Sequence, residues 1–326
     1  MRIERILCPT DLTPDSEEAL RYALALARAY EAELLLMHCE HRVAPGAPAP
    51  TDSNAADRIQ KALFRRLQDT GLNGLRWQSV VVTCDDAGDA ITREASRYCA
   101  DLIVMRSRRR PHRAALLGSI AESVCRTAPC PVLVTHSDER AWIDVSARQI
   151  QLQRVLVAYD FSDHAELALK LGLSAAQEYQ AELHLVHVLP PFTLEEPEIS
   201  WYPLGKEGSY HKAARRLQKA VPDEAYLWCH IKTAISEGQP YREILNYAEK
   251  HQIDLICLGA HGAGFGMRTL FGSNVDRVLR QAPCPVLVAR PLKHAKRVNS
   301  EVRKSKIIRE AETTARPAMA AIVKTP

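Results

Sequence analysis

Arg154-Val155-Leu156-Val157-Ala158-Tyr159-Asp160 is a short apolar run closed by an aspartate, and the same phrase stands earlier in the chain as Arg5-Ile6-Leu7-Cys8-Pro9-Thr10-Asp11. The match continues at the same spacing. Ala32-Glu33-Leu34-Leu35-Leu36-Met37-His38 pairs with Ala181-Glu182-Leu183-His184-Leu185-Val186-His187. Near the end of each half, Ala128-Pro129-Cys130-Pro131-Val132-Leu133-Val134 pairs with Ala282-Pro283-Cys284-Pro285-Val286-Leu287-Val288. Self-similarity of this length means two copies of one fold. The expected boundaries are 1–136 and 153–290, a linker over 137–152, and a tail over 291–326.

Within the second copy, apolar runs alternate with helix-length amphipathic segments. The spacing predicts strands at Arg154–Ala158, Leu183–Val188, about Leu227–Thr233, Leu255–Gly259 and Val286–Ala289. Helices are expected at Ser162–Tyr179, Tyr210–Ala220, Pro240–His251 and Ser273–Gln281. Thr13 before Pro14, and Ser162, read as helix caps. Continuous apolar strands separated by helices imply a parallel sheet covered on both faces, a doubly wound (Rossmann-like) α/β sandwich. Such sheets take ligands beyond the carboxyl ends of their strands, where strand order reverses. Chemistry is therefore sought just after the first and fourth strands.

After the fourth strand the sequence runs from Gly259 through His261, Gly262 and Gly272 to Ser273-Asn274, a G-x2-G-x9-G-S pattern. A phosphate chain needs backbone N–H groups it can approach closely and gains from a helix N-terminus aimed at it. The pattern is neither a Walker A loop nor a GxGxxG fingerprint. Bland readings stand beside this one: turn glycines, or a helix cap made by Ser273 and Asp276. Asp160 reads either as a cap or as a ligand residue. His184 and His187, three apart on a strand, fall on opposite faces and do not suggest a metal pair.

This long loop spacing, the aspartate closing strand one and the terminal Pro-Cys-Pro-Val-Leu-Val strand resemble the universal stress protein family across residues 3 to 290. The resemblance implies two tandem five-stranded parallel sheets, each of order 3-2-1-4-5. It implies that adenine and ribose lie against Ala158, Tyr159, Asp160 and Val188, and that phosphates fall to Gly259, His261, Gly262, Gly272, Ser273 and Asn274. The ligand would be ATP, or else ADP or cyclic AMP, accompanied by magnesium with no dedicated protein cage. It further implies that the two copies pair through their last strands, Val132–Thr135 and Val286–Ala289, with a homodimer and an unnamed protein partner as further possibilities.

The first copy serves as an internal control. Aligning Gly118-Ser119 with Gly272-Ser273 sets Met105 opposite Gly259 and Arg108 opposite Gly262, so both glycines are lost. Ser119-Ile120-Ala121-Glu122 keeps a capping box, and Cys39 replaces the counterpart of Val188. In place of the glycines stands Arg106-Ser107-Arg108-Arg109-Arg110-Pro111-His112-Arg113, read as a solvated basic loop or an anion contact. The first copy is expected to bind nucleotide poorly.

Bulk properties set the remaining bounds. The 326 residues suit two domains, and 46% hydrophobic with 25% charged residues is ordinary for folded soluble protein. A net charge of +4 is too mild to argue for nucleic acid. Nine scattered cysteines read as buried reduced thiols. The chain lacks a run apolar enough to span a bilayer and opens straight into a strand, so a cytoplasmic location is expected. The tail is basic, then alanine-rich. The loop Pro190–Ser209 is placed to act as a lid over the adenine. Three functions are open: a nucleotide-regulated stress protein, a slow ATPase or autophosphorylating enzyme using Asp160, His261 or Ser273, and a scaffold binding anions through Arg106–Arg113.

Overall fold

The computed structural model describes residues 2–41, 61–62, 65, 74–107, 119–136, 139–144, 149–191, 205–261 and 272–292. The first copy contributes β1 (Arg5–Thr10), α1 (Glu17–Ala29), β2 (Glu33–His41), β3 (Trp77–Cys84), α2 (Ala87–Arg97), β4 (Leu102–Arg106), α3 (Ser119–Thr127) and β5 (Val132–Thr135). A small hairpin, β6 (Ile143–Asp144) and β7 (Gln149–Ile150), follows. The second copy contributes β8 (Arg154–Ala158), α4 (Asp163–Tyr179), β9 (Glu182–Leu189), α5 (Gly205–Ala220) and β10 (Ile231–Glu237). It ends with α6 (Pro240–Lys250), β11 (Leu255–Gly259), α7 (Ser273–Gln281) and β12 (Val286–Ala289).

All the strands except the hairpin join one ten-stranded sheet of order β10-β9-β8-β11-β12-β5-β4-β1-β2-β3. Each half has the order 3-2-1-4-5 and is parallel throughout. The seam is antiparallel, with Val286 opposite Val134, Leu287 opposite Leu133 and Val288 opposite Val132. Both seam strands are wholly buried. Left apart, each would present an apolar edge with unpaired backbone groups, and pairing removes both liabilities together.

Side chains alternate between two cores. Val155, Val157, Leu183, Leu185 and Leu287 face α1 and α4 together with Ile6, Cys8, Leu34 and Leu133. Leu156, Val186, Ile256 and Val288 face the other way with Leu7, Leu35, Ile103 and Val134. The period of two explains why these strands read as unbroken apolar runs: both faces are covered. Burying each such side chain is worth about 1.5–3 kcal/mol.

The same devices recur in both halves. At the start of β4, Asp101 Oδ2 accepts from the N–H groups of Glu4 (2.8 Å) and Arg5 (3.0 Å). Before β11, the Asp254 carboxylate does the same for Gln153 (3.0 Å) and Arg154 (2.8 Å). These aspartates pin the first strand of each copy to its fourth, which fixes the crevice at the opposite ends of those strands.

Two elements depart from the sequence expectation. The third strand of the second copy begins at Ile231, not Leu227, and its second helix, α5, starts at Gly205 rather than Tyr210. Leu227 closes a 3-10 turn, Asp223–Leu227, and is 86% exposed. The run Tyr226-Leu227-Trp228 imitates a strand core, whereas β10 is an edge strand whose Lys232, Thr233 and Glu237 reach solvent. Likewise, the joining segment is more than a tether. Trp142 is buried edge-on against Tyr22, with ring centroids 4.8 Å apart, and its carbonyl accepts from Gln151 N–H at 2.7 Å.

A second cross-link between the copies comes from Arg290. Only 7% exposed, it donates from Nε to the Ala128 carbonyl (2.8 Å) and from a terminal nitrogen to the Cys125 carbonyl (3.2 Å). A second-copy cation thus satisfies the carboxyl end of first-copy helix α3, where the helix dipole favours positive charge. Arg290→Ala is expected to cost about 2 kcal/mol, since it orphans two buried carbonyls once held by charged bonds. A urea midpoint unchanged from the native protein would contradict this assignment.

Candidate functional site

The crevice at the topological switch point of the second copy lies where β8 and β11 end. β8 leads into a tight turn. Phe161 is left-handed, with φ of 64°, an unfavourable conformation for a residue with a Cβ. The turn is braced by Asp160, whose Oδ1 accepts from both Ser162 N–H (3.1 Å) and the Ser162 hydroxyl (2.6 Å). That hydroxyl oxygen in turn accepts from Ala165 N–H at 3.1 Å, so Ser162 caps α4 as expected. The first copy repeats the turn, with Leu12 at φ 62° and Asp11 Oδ1 engaging Thr13 N–H (3.0 Å) and hydroxyl (2.6 Å). Thr13, unlike Ser162, makes no side-chain cap bond to the helix that follows. The aspartate closing strand one therefore has a turn-building role in both copies, independent of any ligand.

Tyr159 turns its ring away from the α6 and α7 side. It is buried against α4, and its hydroxyl donates to Glu166 Oε2 at 2.8 Å. Burial, reinforced by that carboxylate, pushes its phenol well above the usual range. Its carbonyl is held by His187 Nδ1 at 2.7 Å, as His38 Nδ1 meets the Thr10 carbonyl at 2.9 Å in the first copy. Against a carbonyl, Nδ1 must carry the proton. Burial shifts His187 toward the neutral form. Phe161 lies between the His187 ring, 4.6 Å away, and the Arg216 guanidinium of α5, 3.8 Å from its centroid. Ala158 and Val188, half-buried, share the opposite face with Ala234 and Tyr241, forming an apolar floor.

The two described glycines of the loop differ in kind. A Cβ at Gly259 would sit 2.7 Å from the His164 carbonyl carbon and 2.8 Å from its Cβ, so backbone packing alone demands glycine there. Gly272 is the N-cap of α7, at φ −59° and ψ 127°, an ordinary conformation for any residue. Among the described residues a Cβ there would make van der Waals contacts only, at 3.4 Å to Val275 and 3.8 Å to the Ala260 carbonyl. Among the described residues no side chain caps α7. Ser273 is its first helical residue rather than its cap, and Ser273 and Asn274 are exposed. The reading of Ser273 with Asp276 as a capping box is not met, because Asp276 Oδ1 instead accepts from Arg280 at 2.6 and 3.0 Å. His261 meets the crevice beside His164, their ring centroids 5.0 Å apart. His164 was invisible to sequence reasoning, since it lies on α4, far along the chain from the glycine loop, and only folding brings them together.

Gly262 falls outside the described residues, as do Gly118, Arg108–Arg113, most of the Pro190–Ser209 loop and the tail beyond Leu292. In the first copy, strand pairing corrects the alignment drawn from the helix start. Arg106 pairs with Thr135 as Gly259 pairs with Ala289. The backbone bond Ser107 N–H to Thr135 carbonyl (3.0 Å) matches Ala260 N–H to Ala289 carbonyl (3.3 Å). Arg106, not Met105, therefore stands where Gly259 does. The first-copy loop is one residue shorter, so counting back from Ser119 overshoots by one. The first copy enters α1 through a 3-10 turn, Pro14–Ser16, where the second enters α4 directly.

Elsewhere, His184 and His187 do face opposite ways. His184 Nδ1 meets the Tyr247 hydroxyl at 3.0 Å on the α6 side. Among the described residues no group of three or more His, Cys, Asp or Glu could hold a metal ion. All nine cysteines are free, and burial pushes Cys8 and Cys257 up to about 12. Among the described residues no helix is long and apolar enough to cross a membrane.

The profile of the Universal stress protein family matches the chain twice, over residues 2–136 and 151–290. A universal stress protein of Mycolicibacterium smegmatis is 29% identical over 311 residues, spanning 88% of this chain and 97% of that protein. A universal stress protein of Thermus aquaticus is 33% identical over 141 residues, which are 42% of this chain and 97% of that protein. In fold, the crystal structure of a universal stress protein from Archaeoglobus fulgidus superposes with a TM-score of 0.67 at 22% identity, covering 89% of this chain and 99% of that one.

Proposed function

The chain is a tandem member of the universal stress protein family, and from that premise we propose that its second copy binds an adenine nucleotide, with ATP as the preferred form, and uses occupancy to regulate conformation or partner choice. The observation that carries this reading is Gly272. Among the described residues neither packing nor dihedral angle calls for glycine there, and a serine or aspartate would cap α7 better by a few tenths of a kcal/mol or more. A glycine at the helix N-terminus, in place of a capping side chain, suits a ligand that needs those N–H groups and that close approach.

The other residues fit the same role. Ala158 and Val188 offer an apolar floor for adenine, and the crevice edge carries His261 toward the phosphates. Gly262 and Asn274 belong to the proposed phosphate contacts through the family resemblance. Any magnesium would ride on the phosphate chain, because the described residues bring no metal cluster of their own. The first copy has Arg106 at the Gly259 position and is proposed to stay empty.

Asp160 commits Oδ1 to its turn, which favours a regulatory ligand over a reaction in which this carboxylate acts as base. The test is to purify the protein without added nucleotide, denature it, and identify what is released by chromatography and mass spectrometry, then to titrate ATP into the emptied protein. About one adenine nucleotide per chain is expected. Failure of ATP to bind would overturn the proposal.

A further inference from the structure

We propose that His164, paired with His261, is a phosphate-contacting residue of this site, and that nucleotide binding at the second copy consequently takes up a proton. The inference rests on the nucleotide reading above and adds a residue and a regulation to it.

His164 is the second residue of α4, and its backbone and Cβ lie directly over Gly259 at the end of β11. That close approach fixes where the imidazole starts and leaves the ring half-buried in the crevice. Its neighbour is the ring of His261, edge-on at 5.0 Å and 70°. The residue before His261, Ala260, has its carbonyl 3.8 Å from the Cβ position of Gly272, at the start of α7. The two imidazoles therefore stand beside the site where the phosphates are proposed to lie.

Two imidazoles this close cannot both charge without repulsion, and the surroundings tilt His164 toward neutrality. Burial acts first, then His261, then Arg290 at the end of β12, while Asp163 on its own helix and Asp160 in the preceding turn pull the other way. In the ligand-free protein His164 is thus neutral at pH 7. An anionic phosphate chain brought against the pair reverses the balance and favours the imidazolium. By linkage, a group whose proton affinity rises on binding makes binding tighter as pH falls, up to tenfold per unit for one proton within the window between free and bound values.

The experiment is calorimetric titration of ATP into the full chain at pH 6.0 and 7.5, each in two buffers of different ionisation heat so that protons taken up are counted. Native protein is expected to bind about fivefold or more tighter at pH 6.0 than His164→Gln does, and the gap is expected to narrow at pH 7.5. His164→Lys, a permanent cation, is expected to restore tight binding without the excess proton uptake. Protonation of ATP itself is common to all three proteins and cancels in the comparison. Because Gly259 packs on the His164 backbone and Cβ, these variants leave that contact intact, and a thermal melt checks that they fold. Equal proton uptake and equal affinity in native protein and His164→Gln would overturn the proposal while leaving nucleotide binding standing. Absence of ATP binding by native protein at both pH values would instead remove the nucleotide reading, and this inference with it.

Discussion

Gly272→Asp is expected to stabilise the protein by about 0.5 kcal/mol and to abolish nucleotide binding, a loss of at least a hundredfold in affinity. The aspartate would supply the side-chain cap that α7 lacks and place negative charge at the helix N-terminus, both favourable to the empty fold. The same carboxylate would take the N–H groups that phosphates need and repel them. Gly259→Ala should behave in the opposite manner. Its Cβ would lie 2.7 Å from the carbonyl carbon of His164, and since backbone cannot rotate aside as a side chain can, the cost is expected to be about 2 kcal/mol. Chemical unfolding and nucleotide titration on the two variants separate the structural glycine from the functional one. A Gly272→Asp protein that still binds nucleotide with native affinity would remove the main support for the site.

Acid should destabilise the second copy through His184. This residue is 1% exposed, its Nδ1 engaged by the Tyr247 hydroxyl, and its ring is surrounded by His251 and Tyr247. Burial, assisted by Lys232 and His251 and opposed by Glu182, lowers its pKa to about 4. Unfolded, the same imidazole titrates near 6.5. Between those values the unfolded chain binds a proton that the folded one refuses, so stability is full above about pH 6.5 and falls as pH drops toward 4. At 1.36 kcal/mol per unit the loss is about 3 kcal/mol. Nearby, burial pushes Glu182 up, but Lys232, His184 and His230 outweigh it and hold the carboxyl below its usual value. His184→Gln keeps a hydrogen-bonding partner for Tyr247 and cannot ionise. Its urea midpoint should change less between pH 6.5 and 4.5 than that of native protein, and parallel curves would show that His184 is not the acid-sensitive group.

Much of the architecture was legible because it is written in apolar runs. Arg154–Ala158, Leu255–Gly259 and Val286–Ala289 have the bounds expected of them, since a strand covered on both faces reads as an unbroken apolar run. The edge strand β10 lacked that signature, and the exposed Tyr226-Leu227-Trp228 turn took its place in the reading. Hairpin strands of two residues each, β6 and β7, carry too little pattern to be seen, although Trp142 beside them is a core residue. Arg290 closes the second copy in the sequence with nothing to mark a partner, and in the fold it is a buried cap on the other copy's helix.

The site was legible in its parts and not in its roles. Glycine at 259 and glycine at 272 look alike in one dimension, and only the proximity of His164 tells them apart. Asp160 offered a ligand or a cap, and the repeat of its turn at Asp11 identifies a shared structural duty. The Arg106 register depended on a one-residue difference in loop length that pairing across β4 and β5 resolves. For the two glycines and for Arg106 the missing information was a contact between segments distant in sequence.

One of the two copies, the second, is proposed to hold an adenine nucleotide. The most direct test is the stoichiometry of ATP bound at equilibrium by the full chain, with Gly272→Asp measured alongside. One site per chain, lost in the variant, is the predicted result. Two sites per chain, or binding that survives Gly272→Asp unchanged, would contradict it.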